Sequence, residues 1–148
     1  MKLLDMATTL SLGLLIGVEF AVAAFVDPIL VRLSHAAEAE ATQLFARVLG
    51  RTMPFWYAFS FLLLIAEAVL RTHEPGFELL IVASAIWAVV ILLTILFLVP
   101  INNRIAKMPF GAYNSDLQKQ HRRWDWMHRG RVLLLIVAIV CFLAALPV

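Results

Sequence analysis

Residues 121–131, with the sequence HRRWDWMHRGR, combine two histidines, two tryptophans and four arginines directly before an apolar run. On an α-helix, residues three, four and seven positions apart share one face. The face with the titratable and aromatic side chains consists of His121, Trp124, His128 and Arg131. An imidazole can accept a proton and a guanidinium can hold an anionic oxygen, so this face has the side chains for proton transfer.

The remaining basic and aromatic residues of this stretch, among them Arg122, Arg129 and Trp126, point to other sides of the same helix. Arginines beside an apolar segment suit lipid phosphates, and tryptophan is enriched at the membrane–water interface. We therefore expect one face to line a site and the other faces to anchor the helix at the membrane surface.

Other polar residues are expected to approach this face from other segments. Asn103 and Arg104 follow the third apolar run, and Asp27 lies near the end of the first. Asp27 either neutralises Arg104 or Arg131 or belongs to the site. Glu19 lies near the middle of the first run, and ionisable groups inside a membrane are costly and suggest function. It either lines a polar cavity or serves as a partner in a buried hydrogen bond.

The composition lies outside the range of soluble proteins. Of the 148 residues, 63% are hydrophobic and 15% are charged, and the mean hydropathy is +0.92. Ordinary globular chains are roughly 45–50% apolar and about 25% charged. A soluble protein of this size could not bury so much apolar surface, so the lipid bilayer is the expected partner and no nucleic acid is expected. One cysteine, Cys141, excludes an intramolecular disulfide.

Four apolar runs are long enough to cross a membrane, which takes about 20 helical residues. They cover about residues 7–31, 54–70, 79–101 and 129–146. The fold expected is all-α, an antiparallel four-helix transmembrane bundle that forms a single domain over residues 1–148. Two additions are expected: a short helix in the first loop, from Ser34 to Gly50, and an extension of the fourth helix into the cytoplasm.

The distribution of positive charge predicts the orientation of the bundle. The first and third loops hold ten of the 12 Lys and Arg residues. Because cytoplasmic loops carry an excess of Lys and Arg, these two loops are expected in the cytoplasm and both termini outside, in the inner (plasma) membrane. Glu67 stands one turn before Arg71, which predicts an ion pair at the membrane interface.

The motifs follow one another in a specific order. A glycine-rich first span ends in Asp27-Pro28, a third span ends in VPINNR, and the fourth is entered through Trp124, His128 and Arg131. In this order they resemble the anthrone oxygenase-like family of small integral membrane proteins, most of whose bacterial members have no assigned function. The resemblance extends over nearly the whole chain. Characterised fungal relatives oxidise polyketide anthrones to anthraquinones with molecular oxygen and without a cofactor.

The resemblance implies an integral membrane oxidoreductase that oxidises a flat aromatic or polyketide-like substrate with O2. It implies no cofactor. The positions of this chain that match the family are Asn103, Arg104, Trp124, His128 and Arg131. Glu19 has no counterpart among them, and neither the natural substrate nor the oligomeric state follows from the sequence.

The chemistry of an anthrone agrees with these residues. Its carbonyl group acidifies the benzylic C–H, so a base such as His128 could remove the proton. Arg104, Arg131 and Asn103 would then hold the enolate oxygen, and Trp124 would lie against the flat rings. The carbanion is electron-rich enough to react with oxygen.

Three further residues, His121, Glu19 and Asp27, complete the expected substrate-binding set. His121 and His128 are two helical turns apart, about 10 Å along the axis, so they cannot share one ion. The sequence still leaves two other classes open. One is a metal- or haem-binding protein, with ligands such as His128 with Glu19, or His35 with Glu38 and His121. The other is a non-enzymatic carrier or assembly factor.

Overall fold

The computed structural model describes residues 1–107 and 115–147, with side chains described for residues 1–107 and 119–147. Throughout these residues the regular structure is helical, which confirms the predicted all-α fold. The elements in chain order are α1 (Lys2–Ala21), a π-helical turn (Val22–Val26), α2 (Asp27–Leu30), α3 (His35–Leu70), α4 (Phe77–Leu93), a second π-helical turn (Thr94–Leu98), α5 (Val99–Ala106) and α6 (Ser115–Ala145).

Four continuous helical segments are long and apolar enough to cross a membrane, so the chain is a multi-pass membrane protein. They are Lys2–Leu30, His35–Leu70, Phe77–Ala106 and Lys119–Ala145. Their outward faces carry large apolar side chains such as Leu3 and Phe55, which are 83% and 79% exposed. In water, such an exposed apolar surface would promote aggregation, whereas in a membrane it contacts the lipid chains.

Both π-helical turns precede a proline. A proline ring clashes with the carbonyl group four residues earlier in a regular α-helix. That carbonyl belongs to Ala24 for Pro28 and to Leu96 for Pro100, and each lies inside a π-helical turn. The wider turn accommodates the ring without ending the helix. The first and third spans therefore continue through their prolines.

The predicted short helix of the first loop is not separate, and Gly50 does not end it. It runs on into the second span as the 36-residue helix α3. Gly50 instead permits a close helix contact, because a Cβ there would lie 2.9 Å from Nδ2 of Asn102. The same Asn102 amide donates a hydrogen bond to the Ala46 carbonyl at 3.3 Å. The glycine is thus explained by packing against α5.

The core between the four spans is apolar with few polar contacts. Its fully buried large side chains include Leu12, Leu64, Trp87, Leu135 and Phe142. At one end of this core, the predicted ion pair between Glu67 and Arg71 is present at 3.1 Å. Both side chains are buried. They also bind α1: Thr8 donates to Glu67, and Arg71 donates to Asp5.

The opposite end of the bundle is built by the helices that extend beyond the length of a span. With 36 and 31 residues, α3 and α6 are about 54 and 46 Å long at about 1.5 Å per residue, against about 30 Å of hydrocarbon. The first half of α3 packs on α5 through Ala46 and Ile105. Arg47 Nε donates to the Ala106 carbonyl at 2.9 Å, at the last turn of α5. These contacts hold α3 and α5 together at the end of the bundle where the polar face of α6 lies.

Candidate functional site

A cavity of about 310 Å³ lies between the spans. This volume falls within the usual range of small-molecule sites, about 300–1,000 Å³. All four spans contribute to its lining, which is mainly apolar and includes Val22, Leu49, Met53, Ile91 and Leu98. The polar residues that line it come from all four spans, and α6 contributes more of them than any other helix.

Five of these polar residues form a connected group, here called the Glu19 cluster: Glu19, Tyr57, Thr94, His128 and Arg131. Arg131 Nη2 donates to Glu19 Oε2 at 2.6 Å, and its Nη1 donates to Thr94 Oγ1 at 3.2 Å. The Tyr57 hydroxyl donates to Glu19 Oε1 at 2.9 Å. Glu19 is 3% exposed and His128 is 1% exposed. The carboxylate in the membrane is therefore paired and hydrogen-bonded, as burial of a charge requires.

The contacts of His128 define which of its nitrogens carries the proton. Nδ1 lies 2.8 Å from Arg131 Nη2, which can only donate, so Nδ1 accepts. Nε2 lies 3.1 Å from the backbone oxygen of Glu19 and donates to it. That carbonyl sits where α1 passes into the first π-helical turn. His128 is thereby a neutral imidazole whose basic atom, Nδ1, lies 3.2 Å from Glu19 Oε2.

Three rings of α6 are stacked along the helix towards the cluster. The Trp124 ring lies 4.7 Å from His128, at 12°, and 5.9 Å from His121, at 9°. One histidine is three residues before the tryptophan and the other is four residues after it, so they engage opposite faces of the indole. Trp124 therefore lines the cavity with its edge, and its Nε1–H has no hydrogen-bond partner among the described residues.

The structure brings together most, but not all, of the residues predicted for the site. His121, Trp124, His128, Arg131 and Glu19 all line the cavity, as do Asp27 and Asn103. Asn103 lies at its exposed rim. Arg104 does not line it; the side chain is exposed and donates to Gln120 Oε1 at 3.4 Å.

Of the two alternatives for Asp27, the ion pair with Arg104 or Arg131 is absent from the described residues. Arg131 pairs with Glu19, and Arg104 binds Gln120. Asp27 lies instead beside His121 and Asp125 of α6. Its Oδ2 atom is buried and has no hydrogen-bond partner in the described part of the chain.

Two metal-ligand sets considered from the sequence find little support in the geometry. His128 and Glu19 do approach each other, but the Arg131 guanidinium contacts both of them and would repel a cation. His35 is 88% exposed and 3.9 Å from Glu38. His121 faces Asp125, with Nε2 3.7 Å from Oδ1.

Sequence reasoning missed two members of the Glu19 cluster, Tyr57 and Thr94. A signal for Tyr57 was present: Tyr57, Ser60 and Glu67 recur at helical spacing, so one face of α3 carries all the polar residues of its span. Thr94 gave no such signal, because a lone threonine in a span commonly bonds to the preceding turn. Thr94 Oγ1 does so here, donating to the Val90 carbonyl at 2.7 Å.

Four membrane-spanning helices around an apolar cavity, with a buried Glu–His–Arg cluster in its wall, define a small integral membrane protein with a candidate site for an apolar ligand. The chain matches the family model described as anthrone oxygenase over residues 42–141, and it belongs to that family. The match includes Tyr57, Thr94, His128 and Arg131, whereas Glu19 lies before it. Searches of curated proteins and of solved structures gave no match.

Proposed function

We propose that this protein is an integral membrane oxidoreductase that oxidises a flat aromatic or polyketide-like substrate with O2 and without a cofactor. One observation carries the proposal: the Glu19 cluster is a buried ionic group in the wall of an otherwise apolar cavity. An apolar ring system enters such a cavity from the lipid, and its single polar oxygen turns to the cluster.

His128 is the proton acceptor in this scheme. The Nδ1 lone pair is shared with Arg131 in the free protein. When the guanidinium turns to the substrate's oxygen, Nδ1 becomes free to remove the benzylic proton. The Glu19 carboxylate, 3.2 Å from Nδ1, stabilises the imidazolium that forms. This division of roles between a histidine and a buried carboxylate is common in general-base catalysis.

Arg131 stabilises the negative charge that appears on the substrate. Removal of the proton turns the carbonyl oxygen into an enolate, which hydrogen-bond donors in a dry cavity stabilise strongly. Arg131 Nε and Trp124 Nε1 are buried and have no hydrogen-bond partners among the described residues. A small rotation of either side chain would let it donate to that oxygen. Asn103, at the rim of the cavity, is a further donor.

The substrate and O2 are the only reactants that the oxidation consumes. The carbanion gives an electron to O2, and the two radicals combine to a peroxide at the benzylic carbon. The peroxide then loses water to leave a carbonyl group. In total one CH2 group and one O2 molecule become one C=O group and one water. Before water is lost, imidazolium returns its proton to the peroxide anion, which restores neutral His128.

The test is oxygen consumption by the purified protein in detergent, with anthrone as the substrate and anthraquinone as the measured product. We expect a rate above the autoxidation in detergent alone. His128→Gln and Arg131→Lys should lower it about 10²–10³-fold, because each removes one group that acts on the transition state. Both variants keep hydrogen-bonding capacity inside the bundle, so they should remain folded.

The matched controls are Arg129→Ala and Trp126→Phe. Both side chains are on the same helix but exposed, and Trp126 is 79% exposed. We expect them to retain wild-type rates. Equal rates for His128→Gln and Arg129→Ala would refute the proposal. Saturable binding of anthrone without any oxidation would refute it too and would indicate a carrier.

A further inference from the structure

We propose that Asp27, His121 and Asp125 form a binding site for one divalent transition-metal ion at the end of the cavity where α2 meets α6. One ligand atom from each of these residues lies within 4.8 Å of the others. Asp27 is presented by the first turn of α2, and the other two residues are one turn apart on α6. The site thus joins the first and fourth spans.

The distances agree with ligands around one ion. Two ligand atoms about 2.1 Å from the same metal ion lie about 3–3.5 Å apart. His121 Nε2 and Asp125 Oδ1 are 3.7 Å apart. The three ligand atoms lie within 4.8 Å of one another, so side-chain movements of about 1 Å would bring them to coordination distance. The stacking of His121 on Trp124 already orients the imidazole.

Hydrogen bonding within the protein does not account for these carboxylates. Asp27 is 7% exposed, and its buried Oδ2 has no hydrogen-bond partner among the described residues. Asp125 Oδ1 is likewise buried without such a partner. Two adjacent carboxylates that are largely removed from water repel each other, so such a pair either holds a proton or binds a cation, and a metal ion competes with that proton. The nearby Arg129 is exposed and offsets only part of this charge.

The ligand types select the class of ion. Carboxylates suit Mg²⁺, Ca²⁺ and Mn²⁺, whereas an imidazole favours Zn²⁺, Fe²⁺ and their neighbours. One imidazole with two carboxylates therefore fits a first-row divalent ion better than Mg²⁺. Three protein ligands leave at least one coordination position open, and both Asp27 and His121 line the cavity. Water would occupy that position, and no step of the proposed oxidation passes through the ion.

Zinc binding to the full-length protein tests the site directly. The protein is purified in detergent without a histidine tag, treated with a chelator, and titrated with ZnCl2 by calorimetry. We expect one Zn²⁺ per chain, and a thermal unfolding temperature that rises on saturation. Asp27→Asn and His121→Asn should each weaken the affinity at least about tenfold.

Two variants control for charge and for histidine content. Glu40→Gln removes an exposed carboxylate, and His73→Asn removes an exposed imidazole from the turn after α3. Both should bind Zn²⁺ as the wild type does. Without metal, Asp27→Asn should unfold at the wild-type temperature or above, because it replaces a buried carboxyl group that has an unpaired oxygen by a neutral amide. Its unfolding temperature should then no longer respond to Zn²⁺.

The site is overturned if the wild type shows no saturable uptake, or if Asp27→Asn and His121→Asn bind Zn²⁺ as tightly as the wild type. The titration needs neither substrate nor oxygen. Its failure would therefore leave the proposed oxidation standing, and a protein that binds zinc without oxidising anthrone would leave the site standing.

Discussion

Replacing Glu19 is the most direct test of the Glu19 cluster. Its carboxylate is the ion-pair partner of Arg131 and the acceptor for the Tyr57 hydroxyl. Removing one partner of a buried ion pair leaves the other charge unpaired and costs about 3–5 kcal/mol. A buried hydroxyl without its acceptor costs about 1–3 kcal/mol more. We therefore expect Glu19→Leu to lower the free energy of unfolding by about 4–8 kcal/mol.

Glu19→Gln gives a graded comparison. The single amide oxygen still accepts from one of the two donors, Arg131 or Tyr57, so less is lost than in Glu19→Leu and we expect a decrease of about 3–5 kcal/mol. The double variant Glu19→Leu, Arg131→Met removes both charges, and it should recover most of the stability that Glu19→Leu loses. Reversible denaturation in mixed detergent micelles, followed by helical circular dichroism, measures all three. If Glu19→Leu unfolds like the wild type, the cluster is not the ion pair described.

Two further predictions concern the turn after α3 and the orientation of the bundle. Gly76 has φ +91°, and a Cβ there would lie 2.7 Å from the Ala145 carbonyl oxygen. Gly76→Ala should thus destabilise the protein by at least about 1–2 kcal/mol in the same denaturation assay, whereas Gly13→Ala, with open space, should not. For orientation, a cysteine at Ser34 should be labelled only from the cytoplasm and one at Thr72 only from outside. Labelling with the sides reversed would contradict the charge-based topology.

The number and type of the membrane helices follow from the sequence alone, because about 20 consecutive apolar residues have few structural alternatives in lipid. The inner face of α6 was also predictable, since His121, Trp124, His128 and Arg131 repeat at helical spacing and all line the cavity. Periodicity within one helix shows which side chains share a face. It does not show which other helix that face meets.

The partners across helices were therefore the weakest part of the prediction. For Asp27 the sequence left two alternatives open, an ion pair with Arg104 or Arg131 and membership of the site, because all three residues reach one level of the bundle. The rotation of each helix about its own axis decides such contacts, and the π-helical turn at Val22–Val26 changes that rotation between Glu19 and Asp27. Irregular turns of this kind add one residue to a helical turn and move every later side chain around the helix.

The two π-helical turns also explain why the Glu19 cluster lies where it does. The first begins at Val22, three residues after Glu19, whose backbone carbonyl accepts a hydrogen bond from His128. The second begins at Thr94, whose hydroxyl accepts from Arg131. Each turn accommodates a proline a few residues later. The Asp27-Pro28 and Val99-Pro100 dipeptides therefore contribute to the site indirectly: they impose the irregular turns at which the fourth span binds the first and the third.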